Sequence, residues 1–488
     1  MTTLIKNGLI YDGTGGKPVQ KNILIKNGHI AKIDSVFSHK ADESIDATGA
    51  IIMPGIVDVG SYADKSFSLF WDPLQESVIR QGITTQIVGN DGVSFAPFSK
   101  KSLEFTLPHS ARSSMVHNGN SVKCFLKTLH GTVSTNIGTL VGARTIKTLV
   151  SEDESKELNS KEKNYFEHLT KTALFEGAFG ISIGYGHTTH EHAPYYEIAD
   201  FAPIAESMKR VCVIHPPANA IAKAFEEILR FSPKKGVNME ISHVLTLLDS
   251  SFTQKKITSF IETLSQKNNV HMDIVPFSRV PVHARELLPP WAFGENDRET
   301  LKTLTSPSRK GRLMRTFNAF QKFKLSVEGI ADPAFQFFEG KSISSIAENR
   351  GSSYGEALLH VMNISTLRAY FLALSPNSTL HGRLLGFPRT LYTWGRARDS
   401  GKETPFSFLK SCKENDSLTL ERKIEKMTSL PAKKFGIAKR GALIEGNYAD
   451  VVVLKDFNLE HLFINGVHII EEGEIRKVFP GMALTPQR

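Results

Sequence analysis

Between two β-rich ends, this chain alternates short apolar strands with helical stretches, and no other feature limits the fold as much. Thr84-Thr-Gln-Ile-Val-Gly, Gly138-Thr-Leu-Val-Gly, Val211-Cys-Val-Ile-His215 and Met239-Glu-Ile-Ser-His243 read as strands. Asp153 to Phe175 and Ala218 to Phe231 read as helices. Sustained over about 370 residues, the alternation predicts an α/β fold, a (β/α)8 TIM barrel with insertions. The region Arg279 to Lys322 is basic and lacks an obvious strand. It is expected to be such an insertion (279–322).

The ends are different. Leu4-Ile-Lys-Asn-Gly-Leu-Ile and the run from Asn22 to Ile33 are apolar or alternating, and Asn-Gly punctuates each. The tail repeats the style in Ala449-Asp-Val-Val-Val-Leu, Leu462-Phe-Ile-Asn-Gly-Val-His-Ile-Ile and Glu472-Gly. Asn-Gly favours tight hairpin turns. Neither end has enough strands to be stable alone. The two are therefore expected to pair into one small β-sandwich, with residues 1–52 as its first part, 53–435 as the barrel and 436–488 as its second part.

At 488 residues, with 40% apolar and 22% charged positions, the chain can bury a sizeable core. Its net charge of +9 comes from basic residues spread through the whole length and interleaved with acids. The nearest thing to a basic run, Ser308-Arg-Lys-Gly-Arg312, is short, so no nucleic-acid partner is expected. Cys124, Cys212 and Cys412 are odd in number and far apart. They argue against a disulfide framework and fit a reducing compartment. No run approaches a membrane span and the first residues lack a signal-peptide core, so the expected location is the cytoplasm, with no membrane partner.

The stretch Ile51-Ile-Met-Pro-Gly-Ile-Val-Asp58-Val-Gly-Ser-Tyr-Ala-Asp64 resembles the opening barrel strand of the D-aminoacylase and N-acyl-D-amino-acid deacylase group of amidohydrolases. Further matches follow in order. Gln81 to Pro97 matches Q-G-V-T-T-x-x-x-G-N-C-G-x-S-x-A-P. Then come Leu140-Val-Gly142, Gly177 to Gly184 and Leu287-Leu-Pro-Pro-Trp291-Ala. His381-Gly-Arg383 to Arg389 resembles H-P-R-x-x-G-T-F-P-R, one residue shorter. Met427 to Ala432 and Arg440 to Asp450 match the C-terminal signature. The resemblance spans nearly the whole chain and implies hydrolysis of an N-acyl amino acid C–N bond at a divalent metal centre.

Residue by residue, the chain departs from that pattern. The group reads P-G-F-I-D-x-H-x-H in the first strand, and its two histidine ligands are Gly60 and Tyr62 here. Its bridging cysteine falls on Asp91, and a carboxylate is still a competent ligand. Its later histidine ligands match His215 and His243, each at the end of an apolar run where barrel sites lie. The resemblance thus implies a three-ligand set of Asp91, His215 and His243 holding one zinc or other divalent ion. The alternative is a set of packed leftovers with no metal. Three other positions of the pattern are Ala143, Pro217 and Leu245. No aspartate occurs between Asp332 and Asp399, although the proton-shuttling aspartate should lie near Leu374-Ser-Pro-Asn377, at the end of the last strand.

Two features could bind without the old chemistry. Arg383 matches the arginine that holds the substrate carboxylate, and a guanidinium fork suits that task. His187-Thr-Thr-His190-Glu-His192 offers a weaker alternative metal set. Three readings stand open at this point. The chain is a D-aminoacylase-like hydrolase with reduced or lost activity, or a non-catalytic protein that binds a small molecule or acts as a scaffold, or a hydrolase with a rebuilt single-metal site.

Overall fold

The computed structural model describes residues 2–37, 41–98, 120–151, 157–184, 194–216, 237–243, 259, 262–263, 269–277, 279–294, 297–330, 332–374, 378–395, 403–411 and 418–487. His187, His190, His192, Pro217, Leu245, Ser375 to Asn377 and the expected helix from Ala218 to Phe231 lie outside them.

Among the described residues, eight parallel strand segments follow in order through the middle of the chain. They are β1 (Ile56–Asp58), β2 (Ile83–Val88), β3 (Asn136–Thr139, continued by Val141–Gly142), β4 (Gly180–Gly184), β5 (Val211–His215), β6 (Asn238–Ile241), β7 (Val270–Ile274) and β8 (Thr390–Tyr392). The first half of β3 pairs with β2, which pairs with β1. Its second half opens the order β3–β4–β5–β6–β7–β8. Every residue of β1, β2 and β5 is buried, as expected for parallel strands covered on both faces. The outer strands β1 and β8 also meet. Asp58 Oδ1 accepts from the Thr393 hydroxyl at 2.7 Å and from the Trp394 N–H at 3.0 Å.

The two chain ends interlock. Ile51–Pro54 pairs antiparallel with Val451–Lys455 inside a seven-stranded sheet. A second sheet of four N-terminal strands packs on it, and the shared core includes Ile5, Ile23, Ile52, Val451, Val453 and Phe463. Asn27-Gly28 and Asn465-Gly466 each close a two-residue hairpin with both residues at positive φ, the geometry that selects this dipeptide. Asn7-Gly8 does something else. The strand after it, Leu9–Ile10, leaves Thr2–Lys6 and joins the other sheet beside Ile51–Pro54.

The segment after β7 departs from expectation. Arg279–His283 is a strand, and with Ser326–Ile330 and Ala369–Leu374 it forms an antiparallel three-stranded sheet. Helices Pro307–Asn318 and Tyr354–Ile364 belong to the same unit. Its own core contains Val282, Phe317, Val327, Leu358 and Phe371, so the inserted unit extends well beyond Lys322. Ala369–Leu374 is consequently the centre of this small sheet and not the last parallel strand, which is β8. No helix among the described residues is long and apolar enough to cross a membrane.

Candidate metal centre

Asp91, His215 and His243 converge at or just beyond the C-terminal ends of β2, β5 and β6. One ligand atom from each lies within 4.8 Å of the other two, and all three residues are buried. Asp91 gets there by a sharp turn. After β2 the chain passes through Gly89 at φ +80° and Asp91 at φ 54°. The Asn90 amide donates to the carbonyls of Val59, Ser61 and Ile87 at 3.0–3.2 Å, pinning the turn to the end of β1. Gly184 lets the turn come close, because a β-carbon there would stand 2.1 Å from the Asp91 carbonyl oxygen.

His215 Nδ1 is 3.1 Å from Asp91 Oδ1. His243 has φ 52°, a left-handed backbone sparsely populated by residues other than glycine. Both its backbone N–H and its ring Nδ1 lie 2.9 Å from Asp273 Oδ1, on β7. This leaves Nε2 pointing toward Tyr62, 3.5 Å from its hydroxyl. A carboxylate behind a histidine fixes both its ring orientation and its tautomer.

Two buried carboxyls compete for charge here, and they resolve it differently. Burial pushes Glu240 well above the ordinary carboxyl range, and the charge of Asp273 adds to the effect. Burial alone would raise Asp273 as well, but His243 outweighs it and holds Asp273 below the usual range. The negative charge therefore sits on Asp273, where it orients His243.

At β1 the structure explains the loss of the first-strand donors. Gly60 has no side chain, and a β-carbon on it would fall 2.1 Å from Thr393 Oγ1 and 3.1 Å from His243 Cε1. Tyr62 reaches across instead and its hydroxyl donates to Asp91 Oδ2. Lys65 joins the same oxygen at 3.2 Å and lies 4.3 Å from the centre of the Tyr62 ring. Ala143, another altered position, is buried at the start of the helix Ala143–Val150.

The donor set of one carboxylate and two imidazoles in a buried pocket suits one zinc-like ion. It does not suit a pair, because Gly60 supplies no donor atom and Thr393 fills the space beside it. Arg383 is exposed on the helix Ser378–Gly386. Sequence reasoning did not single out Asp273, Lys65 or Thr393. A lone acid inside the apolar run Val270-His-Met-Asp-Ile was the available signal for the first. A second cluster, Glu43, His468 and Glu471, lies in the terminal β unit.

No family model matches the chain. Across its length it is similar to the N-acyl-D-glutamate deacylase of Alcaligenes xylosoxydans xylosoxydans, at 24% identity over 96% of this chain and 93% of that protein. The D-aminoacylase of the same organism is 24% identical over 92% and 87%. Among solved structures, the N-acyl-D-glutamate deacylase of Bordetella bronchiseptica, complexed with zinc and a phosphonate mimic of the tetrahedral intermediate, gives a TM-score of 0.76. That comparison is at 22% identity and covers 99% of both chains. A D-aminoacylase structure gives 0.75 at 21% identity, again over 99% of both chains.

Proposed function

The chain belongs with the D-aminoacylase-like amidohydrolases, and from that premise we propose a protein that holds one divalent ion at Asp91, His215 and His243 and hydrolyses N-acyl amino acids slowly or not at all. The observation that carries the reading is the convergence of those three donors next to a donorless Gly60. The meeting of β1 with β8 through Asp58 supports treating the eight strands as one (β/α)8 barrel, with the site at its C-terminal mouth, where such barrels carry their chemistry.

A divalent ion held there would supply Lewis-acid polarisation of an amide carbonyl. The chain's own residues provide the rest. Asp273 keeps His243 Nε2 turned into the pocket, and the positive φ values of Asp91 and His243 aim both side chains inward. Proton transfer to the leaving amine is where the carboxyls among the described residues fall short. Asp273 is engaged with His243, and Asp58 with Thr393, Trp394 and Gly60. Losing a positioned general acid or base typically costs 10²–10⁴-fold in rate. We take a small N-acylated amino acid as the ligand class and Arg383 as the partner for its carboxylate. The expected location remains the cytoplasm.

Elemental analysis of the purified protein carrying His468→Ala, so that the Glu43–His468–Glu471 cluster does not contribute, followed by amine release from a panel of N-acyl amino acids in excess zinc, tests this. At most one equivalent of metal and negligible turnover are expected. Two equivalents, or turnover near the ordinary enzyme median of about 10 per second, would refute it.

A further inference from the structure

We propose that Lys65 and Tyr62 form a built-in competitor for the ion at Asp91, so that this chain binds its metal weakly and exchangeably. The inference rests on the one-metal reading and adds the residues that set its affinity.

The Asp91 side chain is 2% exposed and its carboxylate needs a positive partner. Its Oδ1 faces His215 Nδ1 at 3.1 Å, and at Oδ2 a divalent ion or the Lys65 ammonium can serve. Lys65 Nζ already stands 3.2 Å from Asp91 Oδ2, and the Tyr62 hydroxyl donates to that same oxygen. The hydroxyl is also 3.5 Å from His243 Nε2, which places it between two of the three donors. The ammonium lies over the Tyr62 ring, a contact that ties the two side chains together. A turn holds them on one side of the pocket, with Ser66 N–H donating to Tyr62 O at 3.0 Å and Phe67 N–H to Asp64 O at 3.2 Å.

An ion entering among the donors meets a cation on its own carboxylate ligand, and like charges this close repel strongly where water is scarce. Lys65 can yield, since its side chain is 22% exposed and its long stem can carry the ammonium toward solvent. Binding of the ion therefore exchanges one positive partner of Asp91 for another, and the displacement lowers the apparent affinity. Tyr62 adds to the competition by holding Oδ2 through a hydrogen bond that a ligand oxygen must give up.

The test is zinc affinity by chelator competition on the full chain, in an H468A background so that the Glu43–His468–Glu471 cluster does not contribute. Lys65→Met should bind zinc at least about tenfold more tightly, on the scale of outer-shell effects on metal sites, and Tyr62→Phe should shift affinity in the same direction. Zinc should also speed acylation of Lys65 by acetic anhydride in the chain with Lys65 intact, read by peptide mass mapping. Unchanged affinity in both variants would overturn the proposal, as would Lys65 reactivity that zinc leaves unaltered or slows. Zinc held as tightly after His243→Ala would instead overturn the one-metal reading itself.

Discussion

The hydroxyl of Thr393 occupies the place into which a side chain on Gly60 would have to grow, 2.1 Å from the position of its β-carbon. The missing donor and the residue after β8 are thus one coupled change. Thr393 is held by Asp58, so it cannot simply swing aside. Gly60→His should destabilise the protein by about 1–3 kcal/mol or more, the range for overpacked interiors. Gly60→His combined with Thr393→Gly should recover part of that loss. Urea denaturation of the three proteins measures it, and equal stability of the two variants would count against the coupling.

Asp273 should govern metal affinity without touching the metal. It is 2.9 Å from His243 Nδ1 and also takes the His243 backbone N–H. Asp273→Asn removes the charge that fixes the ring. Changes of this kind typically cost 10–100-fold in metal affinity. Zinc competition with a chelator should show such a loss, with the far-ultraviolet circular dichroism unchanged. A variant that binds zinc like the unaltered protein would show that the backbone alone positions His243.

Much of this architecture was legible because it depends on local rules. The Asn27-Gly28 and Asn465-Gly466 turns follow from the φ values that only such dipeptides adopt easily. Asp91, His215 and His243 were readable from the resemblance, and His215 and His243 also from their places at the ends of apolar runs. Arg279-Val-Pro-Val-His283 was missed because a proline interrupts it, and proline is tolerated only where a strand lies at an edge. In its small sheet this strand is at the edge. β8 has three residues, too few to show a period. The resemblance set the end of the last strand near Leu374, but the partners of Ala369–Leu374 lie in the inserted unit, and pairing over such distances leaves no local mark. The roles of Lys65 and Thr393 depend on contacts 26 and 335 positions away, with Asp91 and Asp58 respectively.

The C-terminal signature earns a structural reading from its contacts. Arg440 is ion-paired with Asp450, and its other terminal nitrogen donates to Asn465 Oδ1 at 2.6 Å. Asn465 passes the network on to Asn136 of β3 at 2.8 Å. Arg440 and Asp450 are both buried. Arg440→Met would leave Asp450 as an uncompensated interior charge, a change that costs about 3–5 kcal/mol in such settings. The pair Arg440→Met with Asp450→Leu should cost less than the sum of the single changes. Thermal and denaturant unfolding of the cycle checks this, and strict additivity would argue that the two charges do not interact.

Asp64 gives the fold a pH dependence of defined sign. It follows the altered first-strand motif and is fully buried, and its Oδ2 accepts the Gly89 N–H at 3.1 Å. Burial pushes its carboxyl up to about 6 against the pull of the neighbouring Lys65 ammonium. The unfolded chain loses this proton near the ordinary value of about 3.9, while the folded chain keeps it until about pH 6. Between those limits the folded state binds more protons, so its advantage is complete below pH 4 and is lost as pH rises through 6. The total is about 3 kcal/mol by linkage. Asp64→Asn keeps the acceptor for Gly89 and removes the titration. The stability difference between the unaltered protein and Asp64→Asn should therefore move by up to that amount in favour of the variant from pH 4 to pH 7, measured by urea unfolding at each pH. A difference that stays flat across this range would mean that Asp64 is charged in the folded protein throughout.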